Sequence, residues 1–185
     1  MLYTLCYSVR MRAVFLDRDG TINAGIPKYE RVDHVTKVEL LPNALEGLSL
    51  LATLDYIYFF VTNQAGLAEG LISKAEFDEI NDEVLKQIES SGIKISEIYV
   101  CPHGDGSECD CRKPKTKLLQ GAAEKYNIDL ANSWMIGDRL TDIQTGINAG
   151  TKTILVQTGS LMEAPEATFV ATDLLKAAQY IANQK

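Results

Sequence analysis

Ala13-Val14-Phe15-Leu16-Asp17-Arg18-Asp19-Gly20-Thr21 passes from four apolar residues straight into two acids, an arginine and a glycine. An apolar run without polar alternation suits a strand buried on both faces, as in parallel sheets covered by helices. Outward from it the pattern repeats. Strands are expected over 13–16, 56–61, 97–100, 133–136 and 153–156, with a weaker sixth at 168–171, and helical periodicity falls between them at 42–53, 73–91, 115–127, 140–149 and 172–183. This alternation predicts an α/β fold, a Rossmann-like three-layer sandwich around a mainly parallel sheet. Pro42 suits a first helical turn, and Gly92 a C-cap of the long helix.

The ends of the apolar runs point to function. Val14-Phe15-Leu16 stops at Asp17, Phe59-Phe60-Val61 at Thr62-Asn63, and Trp134-Met135-Ile136 at Gly137-Asp138. Open parallel sheets bind ligands beyond the carboxyl ends of their strands. Any one of these residues could simply start a turn or cap a helix; three together predict one crevice.

Composition bounds the partners. The 185 residues, 46% hydrophobic and 23% charged, fit one globular domain, placed at 11–185. Residues 1–10 read as an N-terminal extension of uncertain origin, because Met11 directly precedes the first strand. A net charge of −7 argues against nucleic acid as a partner. The apolar run Tyr56-Ile57-Tyr58-Phe59-Phe60-Val61 falls far short of the roughly 20 residues that span a bilayer. With no membrane segment and no basic n-region or small-residue cleavage site near Met1, a cytoplasmic monomer is expected.

In extended chain residues i and i+2 share a side, so Asp17 and Asp19 are expected to face one ligand together. Adjacent carboxylates repel unless a proton or a hard cation such as Mg²⁺ lies between them, and Asp138 would complete the ligand shell. The sequence contains no G-x-x-x-x-G-K-[ST] phosphate loop, which excludes a P-loop nucleotide hydrolase.

Asp17-Arg18-Asp19-Gly20-Thr21-Ile22-Asn23 resembles the first motif of the haloacid dehalogenase superfamily of phosphatases. Thr62 in Val61-Thr62-Asn63-Gln64-Ala65-Gly66 resembles the second, Lys113 in Cys111-Arg112-Lys113-Pro114 the third, and Gly137-Asp138-Arg139-Leu140-Thr141-Asp142 the fourth. The likeness runs from about Met11 to Gly159. It implies that Asp17 attacks phosphorus to give an aspartyl-phosphate, and that Asp19 protonates the leaving alkoxide and then takes a proton from water. It further implies Mg²⁺ held by Asp17, the Asp19 main-chain carbonyl and Asp138, with Thr62 and Lys113 stabilising the phosphoryl oxygens. Asp142 is expected either to hold Lys113 or a metal-bound water, or merely to favour the helix N-terminus.

Cys101-Pro102-His103 and Cys109-Asp110-Cys111 supply four soft ligands in a short stretch, each pair on one side of an extended chain. Such a complete set predicts a closed, structural Zn²⁺ site rather than free thiols. It would fix the backbone carrying Arg112 and Lys113. Cys6 and Trp134 are expected to pack, and His34 to lie at the surface.

The four motifs together with the zinc pattern resemble a zinc-containing branch of the superfamily, whose substrates are heptose 1,7-bisphosphate or histidinol phosphate. Gln64–Gly70 and Val156–Gly159 look more like the former; Lys115–Leu118 looks more like the latter. No large cap domain fits between the motifs, so a small phosphorylated substrate in an open pocket is implied. Arg112 and Arg139 could grip a second phosphate. By resemblance Gly25, Ile26, Pro27 and Lys28, with Thr62, Asn63, Gln64, Ala65 and Lys113, would also contact substrate. A non-enzymatic, zinc-stabilised binding module is the contrasting reading; it leaves the convergence of Thr62, Lys113 and Asp138 without a reason.

Overall fold

A computed structural model of the chain describes residues 10–24, 38–159 and 163–184. Its elements follow in the order β1 (Ala13–Leu16), α1 (Ala44–Ala52), β2 (Ile57–Asn63), α2 (Lys74–Ile88), β3 (Ile95–Cys101), α3 (Lys117–Tyr126), β4 (Trp134–Gly137), α4 (Leu140–Ala149), β5 (Lys152–Val156), β6 (Phe169–Ala171) and α5 (Leu174–Ala182). The six strands form one sheet in the order β3-β2-β1-β4-β5-β6, and every neighbouring pair is parallel.

Helices cover both faces, which explains the unbroken apolar strands. Val14 and Leu16 of β1 join Phe60, Ile136 and Val156 in a core closed by α1, α2 and α5. Ala13 and Phe15 point the other way, with Phe59, Val61 and Met135, against Leu119 and Ala122 of α3. Phe15 stacks on Phe59 with centroids 5.4 Å apart. Trp134 packs as expected, its indole almost fully buried and its Nε1 donating to Tyr56 Oη at 3.3 Å.

Among the boundaries that differ from the sequence reading, two have a plain local cause. α1 begins at Ala44 behind Asn43 in the left-handed region, so Pro42 lies before the helix rather than in its first turn. β2 runs on through Thr62 and Asn63, because their partners Val100 and Cys101 extend β3 alongside. Gly92 does follow the long helix, at φ 74° behind a 3₁₀ turn.

The sheet changes direction of progression between β1 and β4, which is where the ends of neighbouring strands leave a crevice. Asp17 N donates to Ile136 O at 2.9 Å, carrying the β1–β4 pairing to the mouth of that crevice. Among the described residues no helix is long and apolar enough to cross a membrane.

Candidate active site and metal centre

Asp17 leaves β1, Asp138 leaves β4 and Asp142 stands in the first turn of α4; one oxygen of each lies within 4.8 Å of the others. All three are buried. Lys113 enters from the segment before α3, 4% exposed, and its Nζ reaches Asp17 Oδ1 at 2.7 Å, Val61 O at 2.8 Å and Asp142 Oδ1 at 2.6 Å. One lysine pairs with two of the three carboxylates. Burial pushes the Asp17 carboxyl up to about 8, Asp142 adding to the rise against the pull of Lys113. Burial works against the charge of Lys113 too, but Asp142 and Asp17 together hold it firmly protonated. A crowded, oxygen-only acidic set of this kind suits a hard divalent cation.

Glycines make room for it. Gly20 turns at φ 92°, and a Cβ there would press on the Asp138 carboxylate. A Cβ at Gly159 would collide with the same group. Thr158 Oγ1 donates to Gly20 O at 2.7 Å, so the loop after β5 closes over the turn after β1.

Asp19 remains close enough for its charge to act on the Asp17 carboxyl, but its own hydrogen bonds lie elsewhere. The extended geometry ends at Leu16, and the chain folds back so that Gly20 N donates to Asn23 O at 2.8 Å. The Asp19 carboxylate therefore turns to other partners. Oδ1 accepts from Arg18 Nε at 2.9 Å and Asn23 Nδ2 at 3.0 Å; Oδ2 accepts from Arg18 Nη2 at 2.9 Å and Gln64 Nε2 at 2.7 Å. Burial opposes its ionisation, but Arg18, Gln64 and Asn23 prevail and keep the carboxyl below its ordinary range.

The second strand end is equally specific. Thr62 is buried and its Oγ1 accepts from Gln64 Nε2 at 2.9 Å. Asn63 Oδ1 accepts from Lys113 N at 3.1 Å while its Nδ2 donates to Lys113 O at 3.2 Å. The Asn63 side chain thus clamps the backbone of the buried lysine. Ala65 begins a 3₁₀ turn, Ala65–Leu67, beside it. Arg139 sits at the rim, 64% exposed, its Nε 3.8 Å from Asp138 Oδ2, while its backbone N–H donates to Asp142 Oδ2 at 3.0 Å. Arg18 and Asn81 were not singled out by sequence reasoning; an arginine between two acids in a buried turn was the available signal. Gly25, Ile26, Pro27, Lys28, His34 and Cys6 lie outside the described residues.

The soft ligands also converge. Cys101 Sγ is 3.6 Å from His103 Nδ1, 3.8 Å from Cys109 Sγ and 3.2 Å from Cys111 Sγ, and His103 Nδ1 is 3.3 Å from Cys111 Sγ. These edges are close to the roughly 3.7 Å expected between thiolates around a tetrahedral zinc, and much longer than a disulfide. Ser107 lowers the Cys109 thiol to about 6, whereas burial and the neighbouring thiols push Cys111 up to about 12. The cluster can hold a metal ion. Arg112 leaves it with Nη1 donating to His103 O at 3.0 Å and Nη2 paired with Asp105, and Gln64 N donates to Cys101 O at 2.8 Å. Gln64 thus ties the soft-ligand loop to the end of β2, and Arg112 braces the loop from within.

Comparison with known proteins places this geometry. Residues 110–177 match the HAD-hydrolase-like family. A D-glycero-alpha-D-manno-heptose-1,7-bisphosphate 7-phosphatase of Campylobacter jejuni is 38% identical over 148 residues, covering 80% of this chain and 83% of that protein. The histidine biosynthesis bifunctional protein HisB of Blochmanniella floridana is 36% identical over 139 residues, 75% of this chain but 39% of that protein. The crystal structure of D,D-heptose 1,7-bisphosphate phosphatase from B. bronchiseptica, complexed with magnesium and phosphate, superposes with a TM-score of 0.85 at 32% identity, covering 95% of this chain and all of that one. The convergent carboxylates, the buried lysine and these chain-wide likenesses together make the chain a phosphatase belonging to the haloacid-dehalogenase-like hydrolases.

Proposed function

We propose that the protein hydrolyses the 7-phosphate of D-glycero-D-manno-heptose 1,7-bisphosphate through an aspartyl-phosphate on Asp17. The observation that carries the chemistry is the buried Asp17–Lys113–Asp142 array beside Asp138. The likeness over nearly the whole chain to heptose-bisphosphate phosphatases favours the sugar substrate.

Lys113 binds one oxygen of Asp17 and so aims the other at phosphorus for in-line attack. Asp19, held ionised by the Arg18 fork before substrate binds, takes up a proton as the ester enters, gives it to the departing alkoxide and later takes one from the attacking water. Thr62 Oγ1 and the backbone N–H groups after it are placed to stabilise the equatorial phosphoryl oxygens. Asp17, the Asp19 carbonyl and Asp138 would hold Mg²⁺, which when bound offsets the repulsion between an anionic nucleophile and an anionic ester. Cys101, His103, Cys109 and Cys111 would hold Zn²⁺, closed and structural, keeping Arg112 on a fixed loop for the distal phosphate while the exposed Arg139 helps. Thiols kept unpaired in this way fit a reducing, cytoplasmic setting.

A second reading, hydrolysis of histidinol phosphate, rests on the identity to the HisB protein. Phosphate release from heptose 1,7-bisphosphate and histidinol phosphate, measured side by side with Mg²⁺, separates the two. Preference for the bisphosphate is expected, and Arg112→Ala should raise its KM while sparing small monophosphates. A preference for histidinol phosphate would overturn the sugar assignment.

A further inference from the structure

Arg18 is the buried charge with the least obvious purpose. It is 2% exposed, among the largest fully buried side chains, and a charge so placed is costly unless its hydrogen bonds are met. Its guanidinium forks onto both oxygens of Asp19, at 2.9 Å each, and a third nitrogen, Nη1, donates to Asn81 Oδ1 at 2.6 Å. The Phe77 ring lies under it, 5.4 Å from Cζ to centroid.

Asn81 itself is out of character with its surroundings. It is 6% exposed on the inward face of α2, in the row of Phe77, Ile80, Val84 and Ile88. An amide in a helix interior gains nothing from propensity, and a buried amide is costly without partners. Here an aliphatic residue would serve packing better. What the amide does is hold Arg18.

We propose that Asn81 is a positioning residue for the acid–base step: by anchoring Arg18 it sets the orientation in which the guanidinium fork presents the Asp19 carboxylate. The fork is planar and bidentate, so any rotation of Arg18 carries the carboxylate plane with it. Asn23 and Gln64 bind the same carboxylate through single bonds and do not fix its plane. A proton transfer to the leaving oxygen needs hydrogen-bond geometry, so a tilted carboxylate loses its advantage. This inference rests on Asp19 acting as the general acid.

The test compares kcat/KM, which reports steps up to leaving-group departure, for an alkyl ester and for p-nitrophenyl phosphate, whose leaving group departs without a proton. The alkyl ester is whichever of heptose 1,7-bisphosphate and histidinol phosphate the wild type turns over. Asp19→Asn serves as the benchmark and should lose about 10²–10⁴-fold on the alkyl ester and far less on the aryl one. Asn81→Leu, which keeps the branched four-atom shape but removes the acceptor, should follow the same split, with at least a roughly tenfold loss on the alkyl ester and about threefold or less on the aryl ester. Asn81→Asp retains the acceptor and should restore alkyl turnover to within about threefold. Asn81→Ala carries the same comparison if the leucine variant does not fold. Equal losses on both esters in Asn81→Leu or Asn81→Ala, with Asp19→Asn still discriminating, would overturn the positioning role. Equal losses in Asp19→Asn would overturn the acid assignment on which it depends.

Discussion

Lys113→Met tests whether the lysine is the counter-charge of the buried carboxylates. The substitution keeps an unbranched chain of similar length but removes the ammonium, which contacts Asp17, Asp142 and Val61 O at 2.6–2.8 Å with both acids buried. Breaking a buried pair by removing one partner costs about 3–5 kcal/mol, since the survivor stays desolvated and uncompensated. At roughly 2–4 °C per kcal/mol for a domain of this size, the midpoint of thermal unfolding should fall by about 6–20 °C. Protonation of Asp17 would relieve the strain, and losing Lys113 raises that carboxyl further, so the measurement belongs near pH 9 in chelator, where taking up the proton is most costly. Saturating Mg²⁺ should stabilise wild type by about 2.7 kcal/mol at a hundredfold excess over Kd. The variant, carrying one less positive charge beside three acids, should gain more, narrowing the gap. A loss below about 1 kcal/mol in chelator would refute the reasoning, because the acids would then not depend on Lys113 for their burial.

In metal-free protein the raised Asp17 carboxyl binds a proton in the folded state that the unfolded chain releases, so stability should decline as pH rises from the ordinary carboxylate range to about 8 and then level off. Urea titrations across that range should lose this slope in Asp17→Asn, which should also abolish turnover. Asn63→Ala removes two hydrogen bonds to the Lys113 backbone, so unfolding should cost about 1–3 kcal/mol less and kcat should fall more than KM rises, as steady-state kinetics would register. Stripping the Cys101–His103–Cys109–Cys111 cluster with a zinc chelator should release about one Zn²⁺ per chain by atomic emission and depress activity that Mg²⁺ alone does not restore.

Much of the architecture is legible because each local pattern has a local cause. The expected helix over 140–149 coincides with α4, and the first strand with β1, since apolar runs and helical periodicity report burial residue by residue. The misses fall where neighbours decide. β2 extends past its apolar run only because β3 pairs with Thr62 and Asn63. The partners of Asp19, Arg18, Asn23 and Gln64, come from the turn through Gly20 and from β2, which a period of two along the strand does not name. The bonds of the Asn63 amide were equally hidden, because a segment distant in sequence takes both of its ends.

Spacing along the chain sets the alternation of strands and helices, the polar residues at strand ends and the four soft ligands in one short segment. Tertiary structure alone decided that β1 lies between β2 and β4, which brings Asp17 and Asp138 together, that Lys113 is the buried counter-charge, and that α2 reaches Asp19 through Arg18. The division is physical: periodicity records which side of an element is buried, whereas the neighbour on that side follows from the packing of the whole sheet and its helices.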